Sequence, residues 1–444
     1  MKNNISLRRL VLVACAILAT GVSEAQVGTI DFPTSASGDV QDNFIRGVAL
    51  LHSFAFEDAI EHFQKAQEAQ PDFAMAYWGE AMSYNKNPLM DPTRQDLASA
   101  RQALSRLAPT RAARIAKART EREKAYLEAV EILYGQGEKL DRDLAYAEAM
   151  RQIVERYPED GEARAFYALG LLGTVRRASE GYRIQMQAAA IAQELYRENP
   201  DHPGAAHYVI HAFDDTVHAP LALYAAERYS EIAPDAIHAL HMPAHIFVQL
   251  GMWPQAANSN QRSYDASVTW AERNNLPDSE RNFHALAWLQ YAHLQLGHYE
   301  KAKECIDLIR PIAERENSSS RVKATLSNMR VRYLLETGLW QDILLSNNVL
   351  EQERFAGDSI ELLALGMRAA QAGDLATAGA VEKRLAVLQE QDAAGMKSYV
   401  QGQVTLEDLK RSVAISHKEV AAVLYLQKGQ AEEALRFAKQ AISA

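Results

Sequence analysis

The sequence predicts an all-α solenoid in which antiparallel helix pairs repeat along the chain and coil into a right-handed superhelix. Three observations carry that reading. Small, aromatic and helix-ending residues fall at the offsets of a tetratricopeptide repeat, clearest in Gly47, Ala59, Phe63, Ala66 and Pro71. Helix-ending prolines return at Tyr157-Pro158, Asn199-Pro200 and Ala233-Pro234, and Pro200 to Pro234 spans 34 residues, one repeat length. No run alternates apolar and polar residues as a half-buried strand would.

Taken in order, residues 1–25 read as a secretory signal peptide. Lys2, Arg8 and Arg9 give the positive start, Leu10 to Ala19 the apolar core, and Ser23-Glu24-Ala25 a small-x-small cleavage site before Gln26. The apolar run is too short to span a bilayer. The expected location is therefore periplasmic or secreted, with no transmembrane helix in the mature form. Leu12-Val13-Ala14-Cys15 also resembles a lipobox, which leaves lipid anchoring through Cys15 as a minor alternative.

Residues 26–39, rich in Ser, Thr and Gly, read as a flexible leader, and 40–444 as one continuous solenoid. Later units show the turn between helices, at Leu250-Gly251, Leu296-Gly297, Thr337-Gly338, Ala372-Gly373 and Lys428-Gly429. Asn87-Pro88 ends a helix, Arg101 to Gly137 is charged and Ala-rich like two long surface helices, and Asn317 to Ser320 is a polar break. None has the composition of a linker between independent domains.

Charge and cysteine content exclude several classes. The full chain has 47 basic and 57 acidic side chains; loss of the signal removes three basic and one acidic, leaving 44 − 56 = −12. No basic cluster argues for nucleic acid or an anionic membrane surface. Cys305 would be the one cysteine of the mature chain, so neither a disulfide framework nor a thiolate metal site is available.

Histidine is the exception to an otherwise ordinary composition. Seven of the thirteen histidines (His202, His207, His211, His218, His238, His241 and His245) lie between His202 and Gly251. His207 and His211, at i and i+4, share a helix face with Asp214 one turn further on, and His238, His241 and His245 share another. Pro243 sits between the last two, so that helix either kinks or begins afresh there. Both groups follow a repeat-ending proline and so belong to first helices, which line the concave surface and lie about 8–10 Å apart.

That arrangement points to a mononuclear site of His207, His211, His241 and His245, with His238, Asp214 and His284 as supplementary or outer ligands. All-imidazole coordination suits a divalent transition metal, zinc, copper or iron, without selecting among them. The plainer account is a hydrogen-bonded polar lining or satisfied core histidines. Glu80 is either a solvated charge or a general base facing the cavity, and Asp214 is the other candidate for moving protons. Trp78, Tyr208 and Trp288 would line a groove, though repeat packing explains Trp78 as readily.

The segments LLHSFAFEDAIEHFQKAQEAQPDFAMAYWGEAMSYN, HPGAAHYVIHAFDD, HALHMPAHIFVQLGMWPQAA and HALAWLQYAHLQLG resemble those of a family of exported bacterial tetratricopeptide-repeat proteins. The likeness runs to about Gly297. It implies an α-solenoid and an exported location, and it carries the motif histidines His207, His211, His241 and His245 together with His52, Trp78 and Glu80. It implies no particular reaction.

Three functions therefore compete. One is a metal-dependent enzyme or metal-handling protein. A second is a scaffold whose groove holds a peptide or protein partner in the cell envelope. The third is capture of a small molecule in a closed cavity. No H-E-x-x-H, G-x-S-x-G, P-loop or dinucleotide fingerprint fixes a reaction class.

Overall fold

The computed structural model describes residues 26–86, 93–175, 181–342, 345, 350, 356–390 and 406–443. The expected signal peptide with Cys15, and Asn87-Pro88, lie outside these residues. Among the described residues all regular structure is helical. No helix there is long and apolar enough to cross a membrane.

The chain runs through α1 (Asp39–His52), α2 (Phe56–Ala69), α3 (Ala74–Ser83), α4 (Arg94–Leu107), α5 (Arg111–Ile115), α6 (Glu121–Leu133) and α7 (Lys139–Arg156). It continues with α8 (Gly161–Gly173), α9 (Arg183–Glu198), α10 (Pro203–Ala212), α11 (Leu223–Ile232), α12 (Ile237–His241), α13 (Pro243–Gln249) and α14 (Trp253–Arg273). The remainder is α15 (Phe283–Gln295), α16 (Tyr299–Ala313), α17 (Ser320–Thr337), α18 (Ala356–Gln371), α19 (Leu375–Glu390), α20 (Leu406–Gln427) and α21 (Ala431–Ile442). Neighbours in sequence pack on one another, and α1 also meets α3, α8 meets α10, and α15 meets α17. Contacts between next and next-but-one helices are those of a tetratricopeptide-like solenoid, in which each pair buries its apolar face only on adjacent pairs.

Local sequence explains the packing. On α2 the buried residues Phe56, Ala59, Phe63 and Ala66 recur every three or four positions, so one stripe faces inward. The Phe63 ring fills the space beside α1 and α3 because Gly47 and Gly79 have no side chain there. A Cβ at either would stand 2.7 or 2.2 Å from that ring. Turns end as the sequence predicts: Gly251, Gly297, Gly338, Gly373 and Gly429 all take positive φ, which glycine adopts without a Cβ penalty.

Two expectations change. The leader is a strap packed along the solenoid, not a loose segment. Phe32 is buried edge-on against Phe44 and Trp78, and Val27 is buried too. Thr29 N donates to Asp201 O (3.0 Å), Asn199 Nδ2 to Thr29 O (2.9 Å) and Gln41 Nε2 to Phe32 O (2.8 Å). The polar composition hid two apolar anchors. Next, α6 is no surface helix, since Tyr126, Leu127, Ala129 and Val130 are fully buried on it. The apolar core is one large cluster from Val27 to Leu334, with smaller clusters on α18, α19 and α20.

The array curls far enough for α1 to touch α10, and Trp270 Nε1 on α14 donates to Asp58 Oδ1 on α2 (3.4 Å). That long-range contact puts the end of α1 beside the histidine helices.

Candidate metal centre

Three successive first helices present the imidazoles. His202 caps α10, its Nδ1 accepting from Ala205 N (3.1 Å), and Pro203 takes the first helical position, where its missing N–H leaves no bond unmade. His207 and His211 follow on one face. The chain breaks between α12 and α13 at Met242, yet its φ of −54° and ψ of −36° are helical. Pro243 thus begins α13 without turning the chain, and His238, His241 and His245 stay on a common side. His284 comes from α15, whose first turn is capped by Asn282 Oδ1 accepting from Ala285 N (3.1 Å).

These six histidines form two adjacent triads, His207 with His211 and His238, and His241 with His245 and His284. Within each, one ring nitrogen per residue lies within 4.8 Å of the others. Across the divide, ring centroids are 6.3 Å apart for His238 and His241 and 6.4 Å for His211 and His245. The four residues expected to share one ion are therefore split two and two, and His238 and His284 stand in the triads as equals of the rest.

Partners on the far side of the rings settle which nitrogen carries the proton. His207 Nδ1 donates to the His52 carbonyl (2.7 Å), leaving Nε2 bare and 3.1 Å from His238 Nε2. Asn260 Nδ2 donates to Ala256 O (2.8 Å), so its Oδ1 is the acceptor facing His241 Nδ1 (2.6 Å). His245 Nδ1 donates to Asp214 Oδ2 (2.7 Å), and Gln249 Nε2 donates to Asp214 Oδ1 (3.2 Å). His241 and His245 consequently direct two bare Nε2 lone pairs at each other across 3.1 Å, a contact that only an extra proton or a cation makes favourable. In the other triad, His211 Nε2 is buried without a hydrogen-bond partner.

The environment favours the neutral, ligating form. Burial, reinforced by neighbouring imidazoles, pushes His207, His238 and His241 well below the ordinary histidine value and His211 to about 4. Burial works against ionising Asp214, but hydrogen bonds from His245 and Gln249 outweigh it and hold the carboxyl below its usual range. Aromatic rings wall the cluster. Phe54, a non-glycine residue at φ +53°, stacks on His238 at 5.2 Å, and Trp288 lies 4.6 Å from His245.

Other predicted residues sit elsewhere. His52 Nε2 donates to Glu162 Oε2 (2.6 Å) and its Nδ1 accepts from Tyr208 OH (2.7 Å), while His202 Nε2 donates to Glu162 Oε1 (3.1 Å). This buried trio also brings its ligand atoms within 4.8 Å of one another, but every ring nitrogen in it already has a hydrogen-bond partner. A Cβ at Gly204 would come within 2.6 Å of His52, so glycine lets α10 approach that ring. Glu80 is fully buried, paired with Arg106 and accepting from Gln67 Nε2 (2.6 Å) and Gln64 Nε2 (3.1 Å). It braces α2, α3 and α4, and none of its partners belongs to the histidine cluster. Trp78 and Tyr208 are wholly buried and line no groove, Trp78 lying under Phe32 of the strap and Phe44 of α1 and Tyr208 against His52; Tyr208, 5.5 Å from the His207 ring, and Trp288 both border the cluster. His218 turns onto Asp215 (2.9 Å). A cleft of about 400 Å³ opens between α11, α13 and α14, lined by Glu227, Pro243, Phe247 and Arg262 and by no histidine.

Asn260, Glu162 and Phe54 complete this picture without having been singled out by the sequence. Only Phe54 carried a signal, standing two residues after His52.

No family model matches the chain, and no curated protein matches it. Solved structures that are similar include the human IFIT1 dimer with m7Gppp-AAAA, at 13% identity over 94% of this chain and 91% of that one, TM-score 0.34. Rap protein complexed with competence and sporulation factor is 14% identical over 92% and 98%, TM-score 0.39. Yeast Tom70 is 11% identical over 91% and 84%, TM-score 0.36.

Proposed function

We propose that this is an exported, metal-binding solenoid whose concave histidine cluster takes a transition-metal ion. The observation that carries the reading is the pair of bare Nε2 atoms of His241 and His245, each fixed by an acceptor behind its ring. The donor set fits such an ion, being neutral, imidazole-only and backed by Asp214 and Asn260. A bound ion would supply Lewis acidity at whatever coordination position the imidazoles leave open. Asp214 orients His245 and balances part of the added charge.

Elemental analysis of tagless protein tests this. Near-stoichiometric metal in the native chain, abolished or sharply reduced in His241→Ala with helical content intact, supports it. Metal-free protein that binds neither zinc, copper nor iron when challenged would overturn it.

A scaffold role has its own support. The helical-repeat fold offers an extended surface, and Val217 (65% exposed) and Leu221 (51%) place apolar area just beyond Asp214. A partner retained equally by wild type and His241→Ala would favour docking without metal.

A further inference from the structure

Resting on the metal-binding reading, we infer that the cluster holds two copper(I) ions side by side, one in each triad. The sequence alone suggests one ion shared by four histidines. The structure instead contains two separate defects, each of which a cation would cure: the orphaned His211 Nε2 in one triad and the facing His241 and His245 lone pairs in the other. One ion cannot cure both while drawing on three imidazoles from its own triad. The divide between triads, 6.3–6.4 Å between ring centroids, equals the 6.3 Å between His211 and His238 inside one triad, so the two positions adjoin.

Charge selects the metal. Six neutral imidazoles bring none, and Asp214 is the one carboxylate that hydrogen-bonds to them among the described residues. Two divalent ions would place four positive charges against a single negative one in a largely desolvated site, whereas two copper(I) ions place two. Uncompensated buried charge is heavily penalised, so the low-charge ion fits. Imidazole is a good copper ligand, and three such ligands leave each ion coordinatively unsaturated. Phe54 and Trp288 close the sides of the cluster, while His284, which reaches solvent, gives an entry edge.

The test is an anaerobic titration of chelator-stripped, tagless full chain with copper(I) held by a chromophoric competitor. The expected plateau is two equivalents per chain. His238→Ala and His284→Ala, one from each triad, should each plateau at one equivalent with unchanged circular dichroism. Zinc(II) in the same format should fill no more than one position tightly. A wild-type plateau of one equivalent, or two equivalents persisting in both variants, overturns the pair but leaves a single-metal protein standing. Binding of no metal at all overturns the underlying reading as well.

Discussion

An imidazole becomes a ligand when its second nitrogen is held, and here the holders differ in kind. His207 uses a backbone carbonyl, His241 a side-chain amide and His245 a carboxylate. Of these, Asp214 alone adds charge. Asp214→Asn should keep metal stoichiometry while weakening affinity about 10- to 100-fold, the range for a lost ligand-orienting partner, as read by chelator competition. A lost equivalent instead of a weakened one would make Asp214 a ligand. The same burial gives the metal-free protein an acid liability. Folded, His211 titrates at about 4 against an ordinary value of 6.5, and His207, His238 and His241 are lowered as well. Below about pH 6.5 the unfolded chain therefore binds more protons than the folded one, and stability falls as pH drops toward 4. Each tenfold loss of proton affinity on folding corresponds to about 1.4 kcal/mol, so the chelator-stripped protein should lose several kcal/mol over that interval, seen as a falling urea midpoint. A flat profile from pH 7 to about 5 would show that these imidazoles are solvated.

At the scale of the helix, period was readable and environment was not. The spacing of Phe56, Ala59, Phe63 and Ala66 identifies the inner stripe of α2, and the i, i+4 pairs identify which histidines share a face. Spacing says nothing about what stands opposite that face. Glu80 could have met solvent or substrate; it meets Arg106 because α4 lies over it. Trp78 could have lined a groove; it is enclosed because Phe32 of the strap packs on it. Asn260 lies on α14, and only the packing of α12 on that helix brings it to His241. The glycines show the same division. Gly79→Ala inserts a methyl 2.2 Å from Phe63 and should destabilise by about 1–3 kcal/mol, the range for overpacking. Gly379, inside α19, has nothing within 4 Å of an added Cβ, so Gly379→Ala should stabilise by about 0.4–1 kcal/mol. Urea unfolding of the two variants checks the pair, and equal shifts would sink the assignment of Phe63 as a ring wedged between glycine-bearing helices.

For the molecule as a whole, the cluster depends on a contact that no repeat unit contains. Adjacent pairs bring α10, α12, α13 and α15 together, but the proton on His207 Nδ1 is fixed by the carbonyl of His52, delivered when α1 closes on α10. The strap secures that closure, bonding α1 through Gln41 and the loop before α10 through Asp201 and Asn199. Phe32 is its apolar anchor, so Phe32→Ala should cost about 3–5 kcal/mol of stability, the usual penalty for emptying a buried aromatic site. The consequence that separates this view from simple loss of packing lies in the metal response. An ion that binds only the folded chain adds RT ln(1 + [L]/Kd), about 2.7 kcal/mol at a hundredfold excess over Kd. If the strap does no more than pack, wild type and Phe32→Ala gain the same increment at matched free metal. If it holds α1 on α10 and thereby the His207 tautomer, the increment shrinks in Phe32→Ala and is unchanged in Leu385→Ala, which opens a comparable defect in the remote core of α18 to α20. Melting each protein with and without metal measures the difference, and identical increments would detach the centre from the closure of the array.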